Sequence, residues 1–126
     1  MRDIKFRGKR IDNGEWVYGS LLNDFGGDTW IINTLQEIKD ATIKNVWHKV
    51  APETVGQYTG LRDKNEKEIY EGDILRDEHT QKIRAVEYNS PSFVLVDSNR
   101  YFFWNCHYDE QEVIGNIHEH PELMEV

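Results

Sequence analysis

Asp12-Asn13-Gly14 sits between the alternating residues Ile4, Phe6 and Trp16, Tyr18. Asn-Gly supplies the positive φ that a tight connection needs, and a period of two suits a half-buried strand, so residues 4–22 are expected to form a β-hairpin. The same grammar continues along the chain. A Gly- and Asp-rich loop over 23–28 precedes a β-branched run at 29–33. In residues 42–50, Val46, His48 and Val50 share one phase and Ile43 the other. Strands are then expected at 54–58, 73–76, 82–88, 93–96, 100–104 and 113–117, each bounded by turn residues. Residues 34–40 are ambiguous: Thr34 with Glu37 fits a capping box, but seven residues are short for a helix.

Repeated short strands with no long apolar run predict an all-β fold of strands and hairpins. The five C-terminal strands have the spacing of a small SH3-like barrel. Val55-Gly56-Gln57-Tyr58 is echoed by Ile114-Gly115-Asn116-Ile117, which suggests two related β units sharing a core, split as 1–60 and 61–126. No Pro/Gly/Ser linker separates them, so 1–126 reads as one domain. At 126 residues the chain is long enough to bury a core unaided.

Charge narrows the function. There are 23 acidic against 15 basic residues, a formal net charge of −8, which opposes general nucleic-acid binding because phosphate contacts require Lys or Arg. A basic N-terminal strand would put Lys5, Arg7 and Lys9 on one solvated face and Ile4 and Phe6 on the other. Cys106 is the only cysteine, so no internal disulfide forms, as suits a reducing cytoplasm. No signal-like apolar segment or membrane-length run occurs.

Three blocks carry a family resemblance. The first is Met1-Arg2-Asp3-Ile4-Lys5-Phe6-Arg7. The second covers residues 54–74 and includes Gly56-Gln57-Tyr58-Thr59-Gly60-Leu61-Arg62-Asp63-Lys64-Asn65 and Tyr70-Glu71-Gly72-Asp73-Ile74. The third is Glu112-Val113-Ile114-Gly115-Asn116-Ile117-His118-Glu119-His120-Pro121-Glu122-Leu123. Together they resemble the YopX family of phage and prophage proteins. The resemblance implies a phage or prophage origin and a shared fold, and it implies no particular activity. Members usually read Asp-Lys-Asn-Gly at the central turn, whereas Glu66 follows Asn65 here. A longer or bulged turn, or one with Asn65 at positive φ, is therefore expected. Gly56, Tyr58, Gly60, Gly72 and Asp73 are expected to act as scaffold, Asp73 by accepting local backbone N–H groups.

Catalytic motifs are missing: there is no Gly-x-Ser-x-Gly, phosphate-binding Gly loop or His-Glu-x-x-His. Cys106-His107 and His118-Glu119-His120 hold metal-capable donors but lack a Cys-x-x-Cys partner, and surface histidines are the simpler reading. Glu71 and Asp73 flank Gly72 without showing the defined separation that acid/base work needs. No enzyme, metal or cofactor is expected. Tyr101-Phe102-Phe103-Trp104 places rings on both sides of one strand, so Tyr101, Phe103, Trp104 and Tyr108 are candidates for an interaction surface. The expectation is a non-catalytic protein-interaction or self-assembling module, a homo-oligomer or a binder of a host or phage protein, in the bacterial cytoplasm. The alternative is a nucleic-acid accessory protein using Lys5, Arg7, Lys82, Arg84 and Arg100 with Tyr88 or Trp104.

Overall fold

A computed structural model describes residues 4–33, 47–89, 92–96, 101–103 and 110–124, with 89, 92 and 101–103 described by backbone alone. The ambiguous segment 34–40, Arg100, Trp104, Cys106, His107 and Tyr108 lie outside the described residues. The described elements are strands and short 3₁₀ turns, as the repeated short runs imply. The chain divides into two compact units, Met1–Tyr58 and Thr59–Val126.

In the first unit, β1 (Phe6–Lys9), β2 (Trp16–Asn23), β3 (Thr29–Asn33) and β4 (Trp47–Val50) follow one another as antiparallel neighbours. The start of β5 (Gly56–Arg62) pairs with the free edge of β1, Gly56 opposite Arg7. The expected hairpin is β1–β2, with Gly14 at φ 72° in its turn. β4 also reaches β1 from its other side. Arg10 bridges Val50, the Ala51 N–H donates to the Lys9 carbonyl at 2.9 Å, and the Ile11 N–H donates to the Lys49 carbonyl at 3.1 Å. These bonds close the four strands on themselves around Ile31 and Val50, both fully buried. His48 and Val50 face inward, in the phase the alternation assigned them.

The basic face of β1 departs from expectation. Arg7, expected on a solvated face, is only 6% exposed, while Ile4, expected on the opposite face, is 75% exposed. The cause is a cover of rings from the neighbouring strands. The Arg7 guanidinium lies 4.6 Å from the Trp16 ring centroid, Lys9 Nζ lies 5.9 Å from the same ring, and Lys5 Nζ lies 5.2 Å from that of Tyr58. Stacked cations with long apolar stems bury well when the charge meets an aromatic face.

The second unit contains the end of β5, then β6 (Glu68–Tyr70), β7 (Asp73–Asp77), β8 (Ile83–Asn89), β9 (Ser92–Val96), β10 (Tyr101–Phe103) and β11 (Gln111–Asn116). The last five form one antiparallel sheet in the order β10-β9-β8-β7-β11. Among the described residues these ladders run from β10 to β11 and do not establish the small SH3-like barrel expected for this half. Its core is Ile69, Leu75, Val86, Phe93 and Leu95, with Val113 packed against it. The echoed glycines do different jobs: Gly56 sits in a ladder. Gly115 lies at a bulge in β11, where an added Cβ would approach His120 Nδ1 to 2.8 Å.

Aspartates hold three of the turns in the same way. One carboxylate oxygen accepts two backbone N–H groups of the turn itself, and the other takes a donor from outside it. Asp24 accepts Gly26 and Asp28 N–H and the Trp30 indole N–H, all at 2.9 Å. Asp63 accepts Asn65 N–H (2.8 Å), Lys67 N–H (2.9 Å) and Val113 N–H (2.9 Å). Asp77 accepts His79 and Thr80 N–H at 2.9 Å and the Gln111 side-chain amide at 2.7 Å. The Asp63 turn runs to Lys67 and is longer than a two-residue hairpin, as expected, but the positive φ falls on Glu66 (65°), not on Asn65. The backbone therefore keeps the shape that glycine would adopt most cheaply. Glu66→Gly is expected to raise stability by about 0.5–1 kcal/mol, because relief of left-handed strain exceeds the entropy that glycine adds to the unfolded chain. Urea midpoints of the two proteins measure it.

The same bonds set the response to acid. Donation from Thr80 N–H foremost, then from His79 N–H and Gln111, pulls the Asp77 carboxyl down to about 2. The Trp30 indole foremost, with Asp28 N–H, holds Asp24 below the ordinary carboxylate range. A depressed folded-state pKa means that the unfolded chain takes up the proton first, near pH ~4. The contribution is whole above that pH and is lost as pH falls toward about 2. Denaturation midpoints should fall steeply across this window, and less steeply in Asp77→Asn.

Candidate binding face of the first unit

Period-two alternation that sends His48 and Val50 inward must send Trp47 and Lys49 outward. On the adjacent strand Trp30 pairs with Lys49, and Ile32 with Trp47, so these four side chains share the outer face of β3–β4. The two indoles meet edge to face, with centroids 6.3 Å apart and planes at 74°. Trp47 remains 40% exposed. Together with Arg10, Ile11, Asp12, His48 and Lys49 they line an open cleft of about 420 Å³.

The rim is ionic. Arg10 donates to both Asp12 oxygens, from Nε at 2.9 Å and from a terminal nitrogen at 2.6 Å. That hydrogen bond foremost lowers the Asp12 carboxyl. Lys49 Nζ lies 3.3 Å from Asp28. Asp28 and Asp24 belong to the β2–β3 turn, whose tip carries Phe25 at 112% relative exposure. A fully exposed ring thus stands on a turn locked at its base by Asp24, whose other oxygen holds the indole of Trp30 in the cleft lining.

Several candidates from the sequence are placed elsewhere. Tyr101 and Phe103 lie on β10, at one end of the five-stranded sheet. Lys82 is exposed and Arg84 half-buried, on or beside β8, which also carries Tyr88, its ring 5.1 Å from that of Phe93. Lys5 and Arg7 belong to the first unit and lie against the Tyr58 and Trp16 rings. Of the scaffold residues, Gly60 and Gly72 have φ of 87° and 94°, and Tyr58 is buried. Asp73 is 2% exposed and accepts the Tyr70 N–H at 2.7 Å.

His118 and His120 do not extend from a strand as a pair. They occupy a turn after β11, where Asn116 Oδ1 accepts His118 and Glu119 N–H, and Asn116 N–H donates to His120 Nδ1 at 3.2 Å. Among the described residues no three His, Cys, Asp or Glu side chains form a metal-sized cluster. None of the described helices is long and apolar enough to cross a membrane.

Sequence reading passed over Trp30, Trp47 and Phe25. The signal was present for Trp47, since fixing the inward phase of His48 and Val50 fixes it outward. Phe25 within a Gly-rich loop was a second cue, because such loops rarely bury a ring.

No curated protein matches this chain. A crystal structure of protein EF1440 from Enterococcus faecalis is similar at 28% identity and a TM-score of 0.64, over 99% of this chain and 100% of that one. The YopX protein family model matches residues 5–125, which takes in the Asp24, Asp63 and Asp77 turns and the β3–β4 face. The chain belongs to the YopX family.

Proposed function

We propose that this chain is a non-catalytic binding module that engages another protein through the outer face of β3–β4 and the β2–β3 turn. One observation carries the reading. Phe25 is fully exposed on a turn whose conformation is fixed by three hydrogen bonds to Asp24, next to the Trp30–Trp47 cleft. An aromatic anchor held in place before binding loses little entropy on association, and rigid aromatic residues ringed by polar groups are where binding energy concentrates. The turn aspartates support the same non-catalytic reading. Asp24, Asp63, Asp73 and Asp77 all spend oxygens on backbone N–H groups. A phage or prophage origin, proposed from the family resemblance, puts the partner among phage or host proteins of the bacterial cytoplasm.

Selection of displayed random peptides on the immobilised protein tests this. Enriched peptides should carry aromatic anchors and should bind Trp47→Ala roughly 30-fold more weakly, the loss of about 2 kcal/mol usual for a central tryptophan. Peptides that bind both proteins equally would place the binding face elsewhere.

A further inference from the structure

The turn that carries Phe25 is bonded to two residues of the cleft, Trp30 and Lys49, within the same unit. We propose that the protein engaged by this face is a second copy of the chain, in a two-fold dimer in which Phe25 of each protomer enters the Trp30–Trp47 cleft of the other. The inference rests on the binding role proposed above and names the partner for it.

Three features support a reciprocal contact. The first is shape. Phe25 is exposed in full at the tip of a hairpin turn, and the cleft of about 420 Å³ is open and walled by two indoles set edge to face. An aromatic ring entering there meets indoles at the offset or perpendicular geometries that aromatic groups favour.

The second is adjacency. The turn and the cleft are tied together at their bases by the Trp30 indole N–H to Asp24 bond at 2.9 Å and the Lys49–Asp28 pair at 3.3 Å. A two-fold interface uses one patch twice, so a residue and its target must lie on a common face for each protomer to give and to receive. A knob and cleft on different faces would instead give a head-to-tail contact, closing into a ring or running on as an open chain.

The third is charge. The rim is of mixed sign: Arg10 is paired with Asp12 and Lys49 with Asp28, so this face is locally close to charge balance. A chain of net charge −8 repels its own copies over most of its surface, and a face whose charges are paired within the protomer is where that repulsion is least.

Light scattering after size exclusion, over protein concentrations from about 10 μM to about 1 mM, tests the proposal with the full chain. The mass should rise from one chain to two. Phe25→Ser, which alters a fully exposed side chain, should keep the wild-type melting temperature and weaken the dimer at least about 10-fold. Trp47→Ala should weaken it similarly. Mixing the two variants supplies a diagnostic result. Each homodimer has lost both knob–cleft contacts, but a mixed dimer keeps one, between Phe25 of the Trp47→Ala protein and the intact cleft of the Phe25→Ser protein. The mixture should therefore associate more tightly than either variant alone. Wild-type protein that stays monomeric throughout, a dimer indifferent to Phe25→Ser, or variants that fail to complement would each overturn the proposal. A monomer that still selects aromatic peptides dependent on Trp47 would overturn the self-pairing and leave the binding role standing. A monomer that selects none would remove both.

Discussion

Gly19→Ala is expected to disrupt the first unit, lowering stability by about 3 kcal/mol or more. Gly19 lies in β2 opposite Phe6 of β1 on one side and Asn33 of β3 on the other. Its φ is 156°, and a Cβ built there would lie 1.9 Å from the Ile32 carbonyl oxygen, 2.7 Å from the carbonyl carbon and 3.0 Å from the Asn33 Cα. All three are backbone atoms, so no side-chain rotation relieves the clash. β3 must move away from β2, and β3 carries Ile31, around which the four strands close, and Trp30, which lines the cleft. Ser20→Ala, at the exposed neighbouring position, should change stability by no more than about 0.5 kcal/mol. Circular dichroism in urea reports both, and equal midpoints for Gly19→Ala and wild type would refute the close approach of the two strands.

Asp63→Ala is expected to cost about 3 kcal/mol, with the loss concentrated in the second unit. The Asp63 carboxylate is 4% exposed and joins its own turn to Val113 of β11. Removing it strands three N–H groups that have no comparable acceptor in the turn. Hydrogen bonds to a charged group contribute about 1.5–3 kcal/mol each, and three sharing one carboxylate do not add in full. Asp63→Asn keeps one carbonyl acceptor and turns the other site into a donor, so it should fall between alanine and wild type. Hydrogen exchange should show the amides of Asn65, Lys67 and Val113 losing protection together. A loss below about 1 kcal/mol would mean that the turn holds without the carboxylate.

Local chemistry was legible in the sequence where local rules sufficed. Asn13-Gly14 marked the first hairpin, the β-branched run 29–33 became β3, and alternation oriented His48 and Val50 correctly. Contacts between segments distant in sequence were not legible. Alternation put Arg7 in solvent because it cannot see that Trp16, on the next strand, covers the guanidinium. Asp63 read only as part of a turn, since its third donor lies 50 residues further along. The closing bonds from β4 to the end of β1 likewise join residues some forty positions apart. Of the two expectations for the central turn, the longer turn is the one found, with the positive φ at Glu66 and not at Asn65. Asp63 fixes the turn through Asn65 and Lys67 N–H, and that geometry passes the strain to Glu66. For the candidate site, sequence points to rings at residues 101–108, because aromatics cluster there along the chain. Trp30 and Trp47 come together only through the β3–β4 register.

Amide and indole NMR spectra, recorded while the protein is concentrated or titrated with a selected aromatic peptide, test the central claim most directly. The Trp30 indole N–H, held by Asp24 in the free protein, and the Trp47 indole should shift together with the amides of Phe25, Gly26 and Gly27. The amides of β8 around Tyr88 should stay in place. Binding that moves β8 and leaves both indoles unmoved would contradict the assignment of the β3–β4 face as the surface through which this protein acts.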